Sequence, residues 1–547
     1  MLLLECSHVK KFFGDRLILT IEQLKIYSED RIGIVGVNGA GKTTLVNILS
    51  QRLEPDEGWV TVNARFSYIS QLEPPEQQKI SSELASKFGV AADWNESLSG
   101  GEKTRFKLAE CFSRDSLMIF ADEPTSNMDL EGIELIERQF AQYQGALILI
   151  SHDRSFLDKL CNKIIEVENG KINIYKGNYS DYSDQKKLER ERAQFKYQQY
   201  VNEKKRLEGV IADTKQHVKS IRKAPKRMGN SEARLHKMGD QKAKANLDRT
   251  INNIESRIEH LEVKEKPLKQ EKIKLNFAES ERLHSRIILE GKGICKKFGE
   301  KVLFKDAEFK IENESKIALI GPNGCGKTTL LKMIMAEESF IKIAPRAKIG
   351  YFSQDMCSLN ENLTVLENVM KNSIYPEAFV RTLLARLLFK AASVYKPVGV
   401  LSGGERVKVS FAKILFEDIN LLILDEPTNY IDINSLEVME EALQDYDQTL
   451  LFVSHDRRFI NSVADHIMTI ENHKIKIFDG TYEEYLVSKN KTWDTDLAKI
   501  EERIFVLQHR LTQIVGRISI PSKNENIEAL DKEYHKILNE LKRLGKR

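Results

Sequence analysis

The chain repeats itself, and that repeat constrains its fold more than any other feature. GVNGAGKTTL at 36–45 returns as GPNGCGKTTL at 321–330, LSGGE at 98–102 as LSGGE at 401–405, and DEPTSNMD at 122–129 as DEPTNYID at 425–432. VKKFFGDRLIL pairs with ICKKFGEKVLF, SYISQ with GYFSQ, ISHDRSF with VSHDRRF, and GNYSDY with GTYEEY. Seven elements in the same order twice require two copies of one domain. The offset is 285 residues between Lys42 and Lys327, and 303 from Ser99 to Ser402, from Glu123 to Glu426 and from His152 to His455. Gln71 precedes Ser99 by 28 residues and Gln354 precedes Ser402 by 48, so the second copy carries about 20 extra residues there.

A different kind of sequence separates the copies. Residues 186–270 hold 23 Lys+Arg and 12 Asp+Glu, a net of +11, which leaves −8 for the rest of a chain whose net charge is +3. Apolar positions at Tyr197, Tyr200, Leu207, Ile211, Val218 and Ile221, with Lys204 and Thr214 in step, alternate by three and four. Leu247, Ile251, Ile254, Ile258 and Leu261 repeat the pattern, so two long helices packed along a narrow seam are expected. Pro225, Gly229 and Asn230 mark the break between them, with Asn230 or Ser231 as the cap of the second. An arm of about 40 residues reaches roughly 60 Å. Two more heptad runs, Ile500–Ile518 and Ile527–Leu544 around IPSKN at 520–524, predict a smaller helical hairpin at the C-terminus, or a coiled coil that packs only on its own domain.

The repeated motifs carry phosphate chemistry. GxxxxGK[ST] at Gly36–Thr43 and Gly321–Thr328 follows an apolar strand and opens a helix. Glycines there let backbone N–H groups wrap phosphates, Lys42 or Lys327 neutralises the β/γ oxygens, and the Thr43 or Thr328 hydroxyl suits Mg²⁺. LMIFAD and LLILD read as buried parallel strands that place Asp122 and Asp425 at their C-terminal ends, within reach of the magnesium shell. Glu123 and Glu426 are then placed to orient or deprotonate water. Gln71 and Gln354 are expected at the metal or the water, and His152 and His455 at the γ-phosphate. In LSGGE, the serine and glycines (Ser99, Gly100, Gly101; Ser402, Gly403, Gly404) precede a helix and form a second anion-binding terminus.

With these motifs the sequence resembles the ATP-binding cassette (ABC) family over some 400 of its 547 residues. The resemblance implies an α/β fold: two ABC ATPase cassettes joined by a long α-helical hairpin linker, with a C-terminal helical hairpin extension. Expected boundaries are 1–184 for cassette one, 185–272 for the linker (tip about 222–246), 273–492 for cassette two and 493–547 for the tail. It further implies head-to-tail cassettes sharing two ATP molecules within one monomer. One site joins Lys42, Gln71, Glu123 and His152 with Ser402 and Gly404; the other joins Lys327, Gln354, Glu426 and His455 with Ser99 and Gly101. Asn38, Gly39, Gly41 and Thr44, with Asn323, Gly324, Gly326 and Thr329, complete the nucleotide loops. Phe13 and Phe298 would stack on adenine, or else fill the core. Thr43, Gln71, Asp122, Thr328, Gln354 and Asp425 would hold Mg²⁺. Two departures from the family pattern are Ala121, where leucine is usual, and SNMD in place of NHLD, which keeps Asp129.

What surrounds the cassettes indicates their work. Six scattered cysteines without a CxxC pair argue against zinc ribbons and disulfides, and fit a reducing compartment. MLLLECSHVKK is too short and too soon polar for a signal peptide, and no apolar run approaches ~18 residues, so a cytoplasmic protein without membrane contact is expected. DNA-organising cassette proteins usually carry their coiled coil inside a cassette, whereas these helices lie between complete ones. A soluble ATPase pair driving a permease has no evident use for a basic hairpin. The whole order resembles the ABC-F family, and RKAPKRMGNSEARLHKM resembles the linkers of its Vga/Lsa/VmlR-type antibiotic-resistance members. That resemblance implies ribosome binding at the E site, with the linker near large-subunit rRNA, P-site tRNA and the peptidyl-transferase centre. Arg222, Lys223, Lys226, Arg227, Met228, Arg234, His236 and Lys237 are the expected RNA contacts at the tip. A translation factor without a drug role, a permease ATPase, and a solvated hairpin without RNA contact are the alternatives.

Overall fold

The computed structural model describes residues 1–70, 73–220, 230–261, 283, 285–353, 359–389, 392–429 and 431–489, and positions 507, 511, 514, 537 and 538. For 220 and 230–243 it describes the helical backbone alone. The first copy opens with a hairpin, β1 (Leu2–Phe13) and β2 (Arg16–Tyr27), then β3 (Arg31–Val35), α1 (Lys42–Leu49), β4 (Glu57–Val62) and β5 (Phe66–Ile69). Helices α2 (Ser82–Phe88) and α3 (Gly100–Ser113) follow, then β6 (Met118–Asp122), α4 (Leu130–Gln142) and β7 (Ala146–Ile150). The copy closes with α5 (Arg154–Leu160), β8 (Lys163–Glu168) and β9 (Lys171–Lys176).

Its nine strands form one sheet, ordered β4-β1-β2-β9-β8-β3-β7-β6-β5. Pairing is parallel from β5 through β6, β7 and β3 to β8, and antiparallel in the β1–β2, β1–β4 and β8–β9 pairs. Every residue of β6 and β7 is buried, as expected of strands covered on both faces. Leu45, Val46 and Leu49 of α1 pack in one core with Ile32 and Ile34 of β3, Phe120 of β6 and Ile148 of β7.

Two helices span the linker, α6 (Tyr179–Ser220) and α7 (Asn230–Glu259). The expected seam is their contact face. Leu207 and Ile251 are buried, and Tyr197, Tyr200, Ile211, Val218, Leu247, Ile254 and Ile258 are half-buried. Lys215–Glu255 (3.1 Å) and Arg257–Glu203 (3.4 Å) ion pairs flank it. Two details differ from expectation. α6 begins six residues before position 185 and runs unbroken out of the cassette, because no glycine or proline interrupts 179–208. α7 is already formed at Asn230, so neither Asn230 nor Ser231 is its cap. Residues 221–229 lie outside the described residues, and with them Arg222, Lys223, Lys226, Arg227 and Met228.

The second copy runs β10 (Ile287–Phe298), β11 (Lys301–Glu312), β12 (Lys316–Ile320), α8 (Lys327–Met335), β13 (Ile341–Ile343) and β14 (Ile349–Phe352). It continues with α9 (Val365–Met370), α10 (Glu377–Arg386), α11 (Gly403–Leu415), β15 (Leu421–Asp425) and α12 (Ile433–Gln444). β16 (Thr449–Val453), α13 (Arg457–Val463), β17 (His466–Glu471) and β18 (Lys474–Asp479) end it. Its sheets are ordered β11-β10-β13 and β14-β15-β16-β12-β17-β18, the same order as the first copy's strands. The extra residues of this copy build α10 and two 3₁₀ turns, Ser393–Tyr395 and Val398–Val400, whose Val380, Leu383, Leu384 and Val398 are fully buried.

Compact units do not follow chain order. One comprises 1–73, 114–124 and 140–274; the other comprises 74–113, 125–139 and 275–547, and so contains the first copy's α3. In the C-terminal segment, Leu507, Leu511, Ile514, Ile537 and Leu538 are helical, and Leu507, Ile514 and Ile537 are buried. The rest of the expected hairpin lies outside the described residues. Among the described residues no helix is long and apolar enough to cross a membrane.

Candidate active site

Both nucleotide loops sit at the C-terminal end of a central parallel strand, β3 or β12, where open α/β sheets bind ligands. Gly36, Gly39 and Gly41 (φ 150°, 76° and 103°) match Gly321, Gly324 and Gly326 (156°, 73° and 111°). A Cβ on Gly36 would come within 2.5 Å of the Val167 carbonyl oxygen. Wrapped this way, the loops hold their lysines inward. Lys42 Nζ donates to the carbonyls of Gly36 (2.8 Å) and Val37 (3.3 Å), and Lys327 Nζ to those of Gly321 (2.8 Å) and Pro322 (3.3 Å). Phosphate oxygens are stronger acceptors for an ammonium than these carbonyls. Thr44 and Thr329 lie in the first turns of α1 and α8.

β6 and β15 end beside the loop threonines, as the apolar runs imply. Thr43 Oγ1 donates to Asp122 (3.0 Å), and Thr328 Oγ1 to Asp425 (3.4 Å). Burial raises both aspartates above the usual carboxylate range. A hydroxyl and one carboxylate per site is the sparse oxygen set Mg²⁺ uses when phosphates and water supply its other ligands. The residues therefore fit that ion. Gln71 and Gln354 lie outside the described residues.

Glu123 and Glu426 each adopt φ 51°, a left-handed conformation that costs a non-glycine residue on the order of 1 kcal/mol. The same conformation recurs at this position in both copies. Glu123 N donates to the Ile150 carbonyl (2.9 Å) and Glu426 N to that of Val453 (3.0 Å), which turns each side chain toward the histidine after the neighbouring strand. His152 Nε2 lies 3.4 Å from Glu123 Oε1, and His455 Nε2 lies 3.1 Å from Glu426 Oε1. Burial pushes Glu123 up to about 8, opposed by Lys42, and Glu426 up to about 8, opposed by Lys327. His455 is held down to about 3 by burial and by Lys327, so its ring is neutral.

Each signature serine caps its helix in a reciprocal box. Glu102 Oε2 accepts from Ser99 N (2.9 Å) and Oγ (2.6 Å), and Glu405 Oε2 from Ser402 N (2.9 Å) and Oγ (2.7 Å). The second compact unit unites Lys327, Glu426 and His455 with Ser99 and Gly101. Asn323 N donates to Asp129 Oδ2 (2.8 Å), and Asn323 Nδ2 to the Asn127 carbonyl (3.0 Å). A Cβ on Gly101 would lie 3.3 Å from Asn323 Nδ2 and 3.1 Å from the Asn127 oxygen. One nucleotide loop thus meets the other copy's signature, as the head-to-tail arrangement requires. Gly101→Val should therefore lower kcat/KM for ATP at least tenfold, about 1.4 kcal/mol. Steady-state turnover, read beside a melting curve, checks this; wild-type turnover in the variant would show the approach is not needed.

Phe13 and Phe298 end β1 and β10 with 54% and 58% of their surface exposed, which excludes the core alternative. Sequence reading passed over one contact. Arg457 Nη1 reaches both oxygens of Glu137 (2.9 and 3.1 Å), and its Nη2 lies 3.7 Å from Glu134. The signal was the arginine of SHDR, present in both copies.

The chain is similar to known proteins. The profile of a family described as ABC transporter matches residues 19–86 and 304–429, and a second of that description matches 165–277. The chain is 30% identical to the ribosome protection protein VmlR of Bacillus subtilis (strain 168), across 97% of this chain and 96% of that one. It is 33% identical to the erythromycin resistance ATP-binding protein MsrA of Staphylococcus epidermidis, across 82% and 93%. The archaeal ribosome recycling factor aABCE1, solved with the ribosomal stalk protein aP1, matches 88% of the chain and 92% of its own at TM-score 0.58 and 20% identity, a likeness of fold.

Proposed function

As this chain belongs to the ABC-F family of twin-cassette ATPases and hydrolyses ATP, we propose that it works on the ribosome and protects it from antibiotics. In this reading it enters the E site with ATP bound. Its linker reaches toward the P-site tRNA and the peptidyl-transferase centre, and drugs bound there (pleuromutilins, lincosamides, streptogramin A) are dislodged. The linker carries the reading. Helices of 42 and 30 residues reach roughly 60 and 45 Å, and the segment 186–270 holds a net charge of +11 in a chain otherwise acidic. Cationic helices of that reach suit RNA, where phosphate neutralisation and shape dominate recognition. VmlR is named for ribosome protection and MsrA for erythromycin resistance, which supports a target on the ribosome.

ATP is held twice, each time between one nucleotide loop and the opposite signature, within one monomer. Lys42 and Lys327 leave their loop carbonyls for the β/γ oxygens. Mg²⁺, held by Thr43 with Asp122 and by Thr328 with Asp425, supplies charge neutralisation. Glu123 and Glu426 orient the attacking water, His152 and His455 contact the γ-phosphate, and Phe13 and Phe298 stack on adenine.

Two measurements test this. The protein should co-sediment with ribosomes in ATP, less so as salt rises from about 50 to 200 mM. Growth inhibition by the three drug classes and by erythromycin should ease in cells that carry the gene. Sedimentation with membranes, ribosomes remaining unoccupied, would overturn the reading in favour of a permease ATPase.

A further inference from the structure

The first turns of α6 are clamped to the first cassette by a buried polar cluster that no step above uses. Glu166, on β8, is 6% exposed. Its carboxylate accepts from Tyr182 Oη (2.9 Å) and Lys186 Nζ (2.7 Å), and Tyr175 Oη lies 3.4 Å away. Lys186 also reaches Glu168 (2.8 Å), and Tyr175 Oη donates to Glu189 (3.0 Å). Tyr182 packs edge-on against Tyr175 and Tyr179, with ring centroids 5.0 and 5.7 Å apart. Tyr182, Lys186 and Glu189 are consecutive turns of α6, so three turns of the helix are held to β8 and β9.

A second tie leads to the catalytic histidine. Asp153, the residue after His152, caps α5 by accepting from Phe156 N (3.0 Å). Five residues on, Asp158 Oδ1 accepts from Ser180 N (2.8 Å), in the first turn of α6. One short helix therefore joins the γ-phosphate histidine to the root of the arm.

The second copy supplies a control within the same chain. At the 303-residue offset, Tyr182 and Lys186 recur as Tyr485 and Lys489, but Glu166 becomes Thr469 and Tyr175 becomes Phe478. The buried acid and its second phenol belong to the copy that carries the linker. A carboxylate inside a cassette is costly unless it is fully bonded, and its removal takes one of two acids from Lys186 and the acceptor from Tyr182. Nothing about closing a sheet requires one, since Thr469 serves in the other copy.

We infer that Glu166, Lys186, Tyr182 and Asp158 are positioning residues that make α6 a rigid extension of the first cassette, so that changes at His152 reach the linker as movement of the whole arm. This rests on the ribosomal reading only in what the arm then does. The arm should keep its angle to its own cassette in every nucleotide state.

Spin labels at Glu22→Cys, exposed on β2, and Gln199→Cys, exposed on α6, in a background with accessible cysteines changed to serine, report that angle as a distance distribution. In the full chain this should be narrow and identical with ATP or ADP. Glu166→Gln and Lys186→Met should each broaden it at least twofold, Lys186→Arg should restore it, and basal ATP turnover should stay within twofold of wild type. Ribosomes should stimulate ATP turnover of the wild type and Lys186→Arg, but not of Glu166→Gln or Lys186→Met. A lower melting temperature with an unchanged distribution would reduce the cluster to a stabilising role and overturn the inference. So would a distribution that shifts with nucleotide in the wild type. Failure of ribosomes to stimulate the wild type would instead count against the ribosomal reading and leave the distance test standing.

Discussion

Changing Glu123 and Glu426 together to Gln is expected to slow ATP turnover by about 100- to 1,000-fold, some 3–4 kcal/mol of barrier, while nucleotide still binds. The amide keeps the shape and the φ 51° backbone of each glutamate. It removes the negative charge that orients water and replaces one of the two acceptor oxygens beside His152 or His455 with an NH2 donor. Lysines, threonines, aspartates and signature serines are untouched, so the closed, ATP-bound form should accumulate and co-sediment with ribosomes more completely than wild type. Normal turnover in the double variant, or ribosome binding no better than wild type, would show that the glutamates have been given the wrong role.

Shortening the linker across 225–240, with both seams kept, should abolish drug protection and leave ATP turnover near wild type. Leu207–Val218 and Leu247–Ile258 pack the arms against each other without this stretch. From Arg222 to Lys244 the chain holds eight Lys+Arg against Glu232 and Asp240, a net of +6. The deletion removes four of these cations, so the dependence of log affinity on log salt should flatten by at most roughly 4. Met228, Leu235 and Met238 add apolar reach at the tip, or pack its own turn. Minimum inhibitory concentrations of a pleuromutilin, a lincosamide and streptogramin A should fall to those of cells without the gene. Full resistance in a well-expressed deletion would place the activity elsewhere; joint loss of binding and resistance would make the tip a docking element.

Local chemistry was readable in the sequence, and contact across long separations was not. Apolar runs ending in acid placed β6 and β15 correctly, because a strand covered on both faces has little choice of composition. The three-four spacing found the α6–α7 seam down to Lys204 and Thr214, both half-buried. By contrast, nothing in DEPTSNMD says that Asp129 captures Asn323, since that bond closes 194 residues. Likewise, the positive φ of Glu123 and Glu426 arises from a turn fixed by β7 and β16, and glutamate carries no bias toward it. Glu166 looked like one acid among many until the strand burying it could be compared with Thr469. The extra 20 residues of the second copy were legible as a count; that they form α10 and join the cassette's core beside Phe352, Phe411 and Leu424 depended on tertiary packing.

The division into compact units has a consequence for how the chain is made. Segments 74–113 and 125–139 emerge early yet complete their packing with residues beyond 275. At about 5–20 residues per second, Asp129 waits on the order of 10–40 s for Asn323 to be synthesised. Glu137 waits longer for Arg457, 320 residues downstream. During that interval α3, with its signature glycines, has no finished surface to rest on. A nascent chain stopped after the linker should consequently hold a folded nine-stranded sheet beside an unfinished, aggregation-prone helical segment, one that chaperones would need to shield until the second copy arrives.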